Sequence, residues 1–61
     1  MKVKVDYIES SCCTGRYREE WFEEFETVAE LVASMKEFED RFPDAEVWFD
    51  SDCTLTISRE L

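Results

Sequence analysis

Residues 16–30 read RYREEWFEEFETVAE, and the conformation of Arg16 to Glu26 decides the architecture. As a strand, this segment puts Tyr17, Trp21 and Phe25 on one face with Glu19 and Glu23, and Phe22 on the other with Arg18, Glu20 and Glu24. As a helix, Tyr17, Trp21, Phe25, Val28, Val32 and Met35 make a stripe that runs on into the next segment, and glutamate is a good helix former. Two features favour the strand. Thr27-Val28-Ala29-Glu30 has the form of a capping box, with the Thr27 hydroxyl placed to accept from the Glu30 N–H and the Glu30 carboxylate reaching back. A single helix through both segments would also be about 40 Å long, more than a sheet built from the remaining residues could cover.

On the N-terminal side, Val3, Val5 and Tyr7 alternate with Lys2, Lys4 and Asp6, the period-2 pattern of a strand over residues 2–9. Residues 10–15, SSCCTG, form the connecting turn, where the only glycine, Gly15, is expected to supply a positive φ. On the C-terminal side, Val28, Leu31, Val32, Met35, Phe38 and Phe42 recur at helical spacing and leave Glu30, Lys36, Glu37 and Asp40 for water. Pro43 stops the helix. Ala45, Val47 and Phe49 then alternate with Glu46, Trp48 and Asp50. After an Asp50-Ser51-Asp52 turn, Cys53, Leu55 and Ile57 alternate with Thr54, Thr56 and Ser58. The expected fold is α+β, a single domain over residues 1–61 of order ββαββ: a four-stranded antiparallel sheet with one helix packed on one face. The helix side receives Val3, Val5, Tyr7, Trp21, Phe25, Val47, Phe49, Cys53, Leu55 and Ile57. The open side receives Ile8, Phe22 and Trp48 among Glu20, Glu24, Glu46, Asp50, Thr54 and Thr56. Apolar groups rimmed by charge mark a contact surface, for a second copy of the chain or a foreign partner.

The chain has 61 residues with 16 acidic and 7 basic side chains, no histidine and a formal charge of −9. It is too short for a dinucleotide-binding fold or a (β/α)8 barrel, yet its 44% hydrophobic and 15% aromatic content argues against a disordered acidic tail. No nucleophile–base motif is present, so no catalytic residue and no enzymatic activity is expected. No cofactor is expected either. Cys12, Cys13 and Cys53 lack the paired spacing and the fourth ligand of structural zinc, and Cys53 reads as a small core residue. Asp50-Ser51-Asp52 opens like a calcium loop, but Leu55 and Leu61 stand where an EF-hand needs glycine and glutamate. The N-terminal residues have no secretory h-region and no run is apolar enough to span a bilayer, which points to the cytoplasm and to no membrane partner. The negative charge opposes direct nucleic-acid binding, with Lys2, Lys4, Arg16 and Arg18 too few to offset it.

The densest charge is Glu19-Glu20-Trp21-Phe22-Glu23-Glu24-Phe25-Glu26, with Glu30 beyond it. Carboxylates at alternate strand positions repeat about every 7 Å, a spaced row suited to a Lys/Arg groove that responds to charge and spacing. The candidate partner-binding residues are therefore Glu19, Glu20, Glu23, Glu24 and Glu26, with Phe22 and Trp48 as apolar anchors. In size, acidity, aromatic content and β-rich architecture the chain resembles the small acidic proteins that bacteriophages and mobile elements use against host defence, the anti-CRISPR and anti-restriction inhibitors of the DNA-mimic type. The resemblance implies a non-catalytic inhibitor that docks on the basic surface of a nucleic-acid-handling protein, in some cases as a homodimer. It transfers no functional residue by motif.

Overall fold

A computed structural model describes residues 1–13 and 15–61, which form β1 (Lys2–Ser11), β2 (Gly15–Glu24), α1 (Val28–Arg41), β3 (Glu46–Phe49) and β4 (Thr54–Glu60). The ββαββ order is as expected, and the deciding segment is strand. Thr14, assigned by the sequence to the first turn, lies outside the described residues. Gly15 has φ +89°, the positive value its place in the turn requires. Thr27 caps α1, its Oγ1 accepting from the Glu30 N–H at 3.2 Å. The Glu30 carboxylate reaches one residue further back than a capping box asks, accepting from the Glu26 N–H at 2.8 Å. Both sides of the strand-to-helix corner are thereby held.

The strand order is β2-β1-β4-β3. β1 pairs antiparallel with β2, β4 pairs antiparallel with β3, and the two central strands β1 and β4 run parallel. The sheet is mixed, which corrects the expectation of an all-antiparallel one. The helical crossover together with the strand order is the reason. α1 carries the chain from the end of β2 back along the sheet, so β3 starts at the same end as β2 and runs the same way. Each hairpin reverses direction once, so β1 and β4 also share a direction, and as neighbours they pair parallel.

That central pair is the floor of the core. Val3, Val5, Leu55 and Ile57 are completely buried, with Phe25 and Leu31 closing over them. Trp21, Val47 and Phe49 from the edge strands and Met35, Phe38 and Phe42 from the helical segment pack around this centre. Leu31, Met35, Phe38 and Phe42 form a narrow stripe. Val28 and Val32, expected beneath the helix, are exposed instead. They lie about 60° and 100° round the axis from Leu31, and one short helix over a sheet whose far strand has four residues needs no wider contact.

Cys53 is also relocated. It is an exposed turn residue, not a core residue, with φ +62°. Its N–H closes on the Asp50 carbonyl at 3.1 Å and the Asp50 N–H on the Thr54 carbonyl at 2.9 Å. This is a hairpin turn whose last residue must be left-handed, where glycine usually stands. The alternation that placed Cys53 with Leu55 and Ile57 begins one residue later, at Thr54. The two turns make opposite predictions. Cys53→Gly should raise stability by about 0.5–1 kcal/mol by relieving the left-handed cost, and Gly15→Ala should lower it by about 1–2 kcal/mol, although nothing crowds the added methyl. Urea midpoints at unchanged slope measure both.

Candidate functional site

Strand register sorts the charges between the two faces of the sheet. Within the strands the open face carries four of the seven cations, Lys2, Lys4, Arg16 and Arg18, against five carboxylates, Asp6, Glu20, Glu24, Glu46 and Glu60, while Asp50, expected there, lies just beyond β3 in the turn. Much of this charge is paired. The Arg18 guanidinium forks onto Asp6, Nε to Oδ1 and Nη2 to Oδ2 both at 2.9 Å, and its Nε lies 3.4 Å from Glu20. The other Glu20 oxygen pairs with Lys4. Asp6 is only 8% exposed, and its hydrogen bonds raise the Arg18 pKa further above its ordinary value. Phe22 and Trp48 are 62% and 41% exposed on this face, as expected. They do not form one patch. Phe22 is on β2 and Trp48 on β3, the two outer strands, about 14 Å apart across three strand spacings, and Lys2 Nζ sits 4.7 Å over the Phe22 ring.

The remaining eleven carboxylates share the helix side, the helix and the loops with only three cations, Lys36, Arg41 and Arg59, leaving about eight of the nine net negative charges there. Arg59 is already engaged, by Asp44 at 3.3 Å and Glu9 at 3.6 Å, and stacks 4.7 Å over Phe42. Between β2 and the C-terminal half of α1 runs a groove made of two contiguous hollows, about 320 and 170 Å³, which share Glu23, Phe38 and Arg41. Tyr7, Trp21, Phe38 and Phe42 supply its aromatic lining, Glu19, Glu23 and Glu37 its carboxylates, and Arg41, whose guanidinium lies 5.3 Å over the Phe42 ring, a cation of its own. Trp21 Nε1 donates to Glu23 at 3.4 Å and the Tyr17 hydroxyl to Glu19 at 2.9 Å, which fixes both carboxylates along the strand. Aromatic faces beside carboxylates suit a guanidinium or ammonium group.

The strand therefore divides the candidate residues. Glu19 and Glu23 belong to the groove, Glu20, Glu24, Phe22 and Trp48 to the open face, and Glu26 is exposed at the corner before α1. Glu37, Trp21 and Phe38 were missed as site residues. The available signal was the Glu37/Arg41 pair at i, i+4 beside Phe38, a polar margin to the buried stripe. Among the described residues no three Cys, Asp or Glu side chains converge as metal ligands, and no helix is long and apolar enough to cross a membrane. The sequence matches no protein-family model and no curated protein.

Two predictions follow the paired groups. Arg18→Met should lower the urea midpoint because it strands a nearly buried carboxylate, while Asp6→Leu with Arg18→Met should recover most of that loss. Both tyrosines titrate above their ordinary value, Tyr7 through burial and then its hydrogen bond to Glu9, Tyr17 through its hydrogen bond to Glu19. Since the folded values exceed the unfolded value of about 10, the associated stability is complete below that pH and is lost as pH rises through the folded values. Phenolate absorbance should rise later than in the unfolded chain, and Glu19→Gln should bring Tyr17 back towards the ordinary value.

Proposed function

We propose that the protein is a non-enzymatic, cytoplasmic binding protein, an inhibitor that docks on the basic surface of a nucleic-acid-handling protein, as the small acidic host-defence inhibitors it resembles do. The observation that carries this reading is the concentration of about eight of the nine net charges away from the open sheet face. Negative charge in excess on the helix side and in the loops steers a cationic partner away from the open face before contact. The groove beside Trp21 then receives an arginine or lysine of that partner, with Glu19, Glu23 and Glu37 around the cation and the Trp21 ring beside it, since Phe42 already carries Arg41 and Arg59. The partner's groove is one evolved for a phosphate backbone, so nucleic acid and this protein exclude each other. Phe22 and Trp48 face away from this contact and are not needed for it.

The test is capture of the partner from host lysate followed by kinetics on the purified pair. The association rate should fall at least tenfold as salt rises from about 0.05 to 0.2 M. Glu19→Gln/Glu23→Gln/Glu37→Gln should lower it by about tenfold at low salt, and Trp48→Ala should leave it unchanged. Duplex DNA or heparin should displace the protein. A salt-independent rate, or loss of binding with Trp48→Ala and not with the triple variant, would overturn the reading.

A further inference from the structure

β2 is an unusual edge strand. It is ten residues long, and it leaves large apolar side chains exposed on both faces, Phe22 at 62% and Tyr17 at 53%. Its outward hydrogen-bonding groups can be identified. Met1 and Phe25 exchange both backbone bonds, at 2.6 and 2.8 Å, so they are a bonded pair of the antiparallel ladder. Bonded and non-bonded pairs alternate, which makes Glu23, Trp21, Glu19 and Tyr17 the residues of β2 that bond to β1. The N–H and C=O groups of Arg16, Arg18, Glu20, Phe22 and Glu24 point away from the sheet, an open template for another strand.

The side chains on that template are self-complementary under strand reversal. The strand reads Arg16-Tyr17-Arg18-Glu19-Glu20-Trp21-Phe22-Glu23-Glu24, with both arginines ahead of all four carboxylates. A second β2 laid antiparallel, with Glu20 on the twofold axis, brings all five outward residues of each copy into bonded pairs. In this register Arg16 faces the second copy's Glu24, and Arg18 faces its Phe22 ring. On the helix side Tyr17 stands opposite Glu23 and Trp21 opposite Glu19, the hydroxyl and the indole N–H keeping their bonds to Glu19 and Glu23 of their own strand. The one like-charged pair is Glu20 against Glu20, and each of these is already bonded by its own Lys4 and Arg18. A register shifted by two residues leaves outward groups unpaired at both ends.

We propose that the protein forms a homodimer through this edge, two β2 strands joining the sheets of two copies into one of eight strands. A twofold axis normal to the sheet keeps both helices, and both acidic grooves, on the same side. The inference is independent of the docking reading, since it rests on the edge and its register rather than on the net charge.

Sedimentation equilibrium from micromolar to millimolar concentration tests it. The wild-type chain should dimerise. Arg16→Glu alone and Glu24→Arg alone should each weaken the dimer by about tenfold, because each puts like charges opposite one another twice, and Arg16→Glu/Glu24→Arg together should restore it to within about threefold. Far-UV circular dichroism confirms that the variants fold. Amide exchange on the unmodified chain gives a second readout that needs no variant. The amides of Arg18, Glu20 and Phe22 should become protected as concentration rises, while those of Glu19 and Trp21 are protected throughout. A chain that stays monomeric, a dimer in which those three amides exchange as they do at high dilution, or a failure of the double swap to rescue would each overturn the proposal.

Discussion

A single helix covers only one side of a four-stranded sheet, and the other features of this protein answer that constraint. The covered side buries Val3, Val5, Leu55 and Ile57 on the central parallel pair. The uncovered side has no second layer to exclude water from it. It is closed instead by side chains of opposite charge lying across the strands, Arg18 over Asp6 and Lys4 against Glu20, with the long cationic stems covering the sheet. Because four of the seven cations lie on that side, the helix side and the loops keep eleven carboxylates with only three cations to balance them. The charge asymmetry is thus a by-product of how a small α+β fold finishes its open face, and it is also what makes the helix side a candidate docking surface.

The same constraint sets the topology. One helical crossover between two hairpins commits the inner strands to run parallel, with both outer strands left as edges. The two edges are managed differently. β3 is short and bounded by Asp44, Glu46, Asp50 and Asp52, the usual way of discouraging a further strand. β2 is long, and its charges are ordered by sign along the strand rather than alternated. Such an arrangement repels most strands and fits a reversed copy of itself. Joining two copies there would widen the acidic side and set the groove residues Glu19, Trp21 and Glu23 of each beside the second copy's β2.

Much of this was legible in the residue pattern. Period-2 alternation located β1, β3 and most of β4, the Thr27/Glu30 pair marked the start of α1, and Pro43 its end. The placing of Phe22 and Trp48 on the open side also follows from alternation alone. What alternation does not carry is direction and distance. The parallel pairing of β1 with β4 depends on a crossover counted over the whole chain, and the separation of Phe22 from Trp48 depends on strand order. Cys53 continues the alternation of Leu55 and Ile57, yet its backbone belongs to the turn, a matter of φ that a side-chain pattern does not encode. Alternation also divided the acidic run between the two faces, Glu19 and Glu23 against Glu20 and Glu24, but did not show what each pair would meet there. In a strand, contiguous residues face opposite ways, and Glu19 and Glu23 find Glu37 of the helix rather than Glu20 and Glu24.

The central claim is that negative potential belongs to the helix side and the loops while the open sheet face is close to neutral. Paramagnetic relaxation of the backbone amides by small soluble nitroxides, one cationic and one anionic, measures this directly. The claim predicts that the cationic probe relaxes exposed amides around Glu37, Glu39 and Asp40 several times more than the anionic probe does, with a ratio close to one for residues around Lys2 and Arg16. An equal ratio over both sides of the sheet would contradict it.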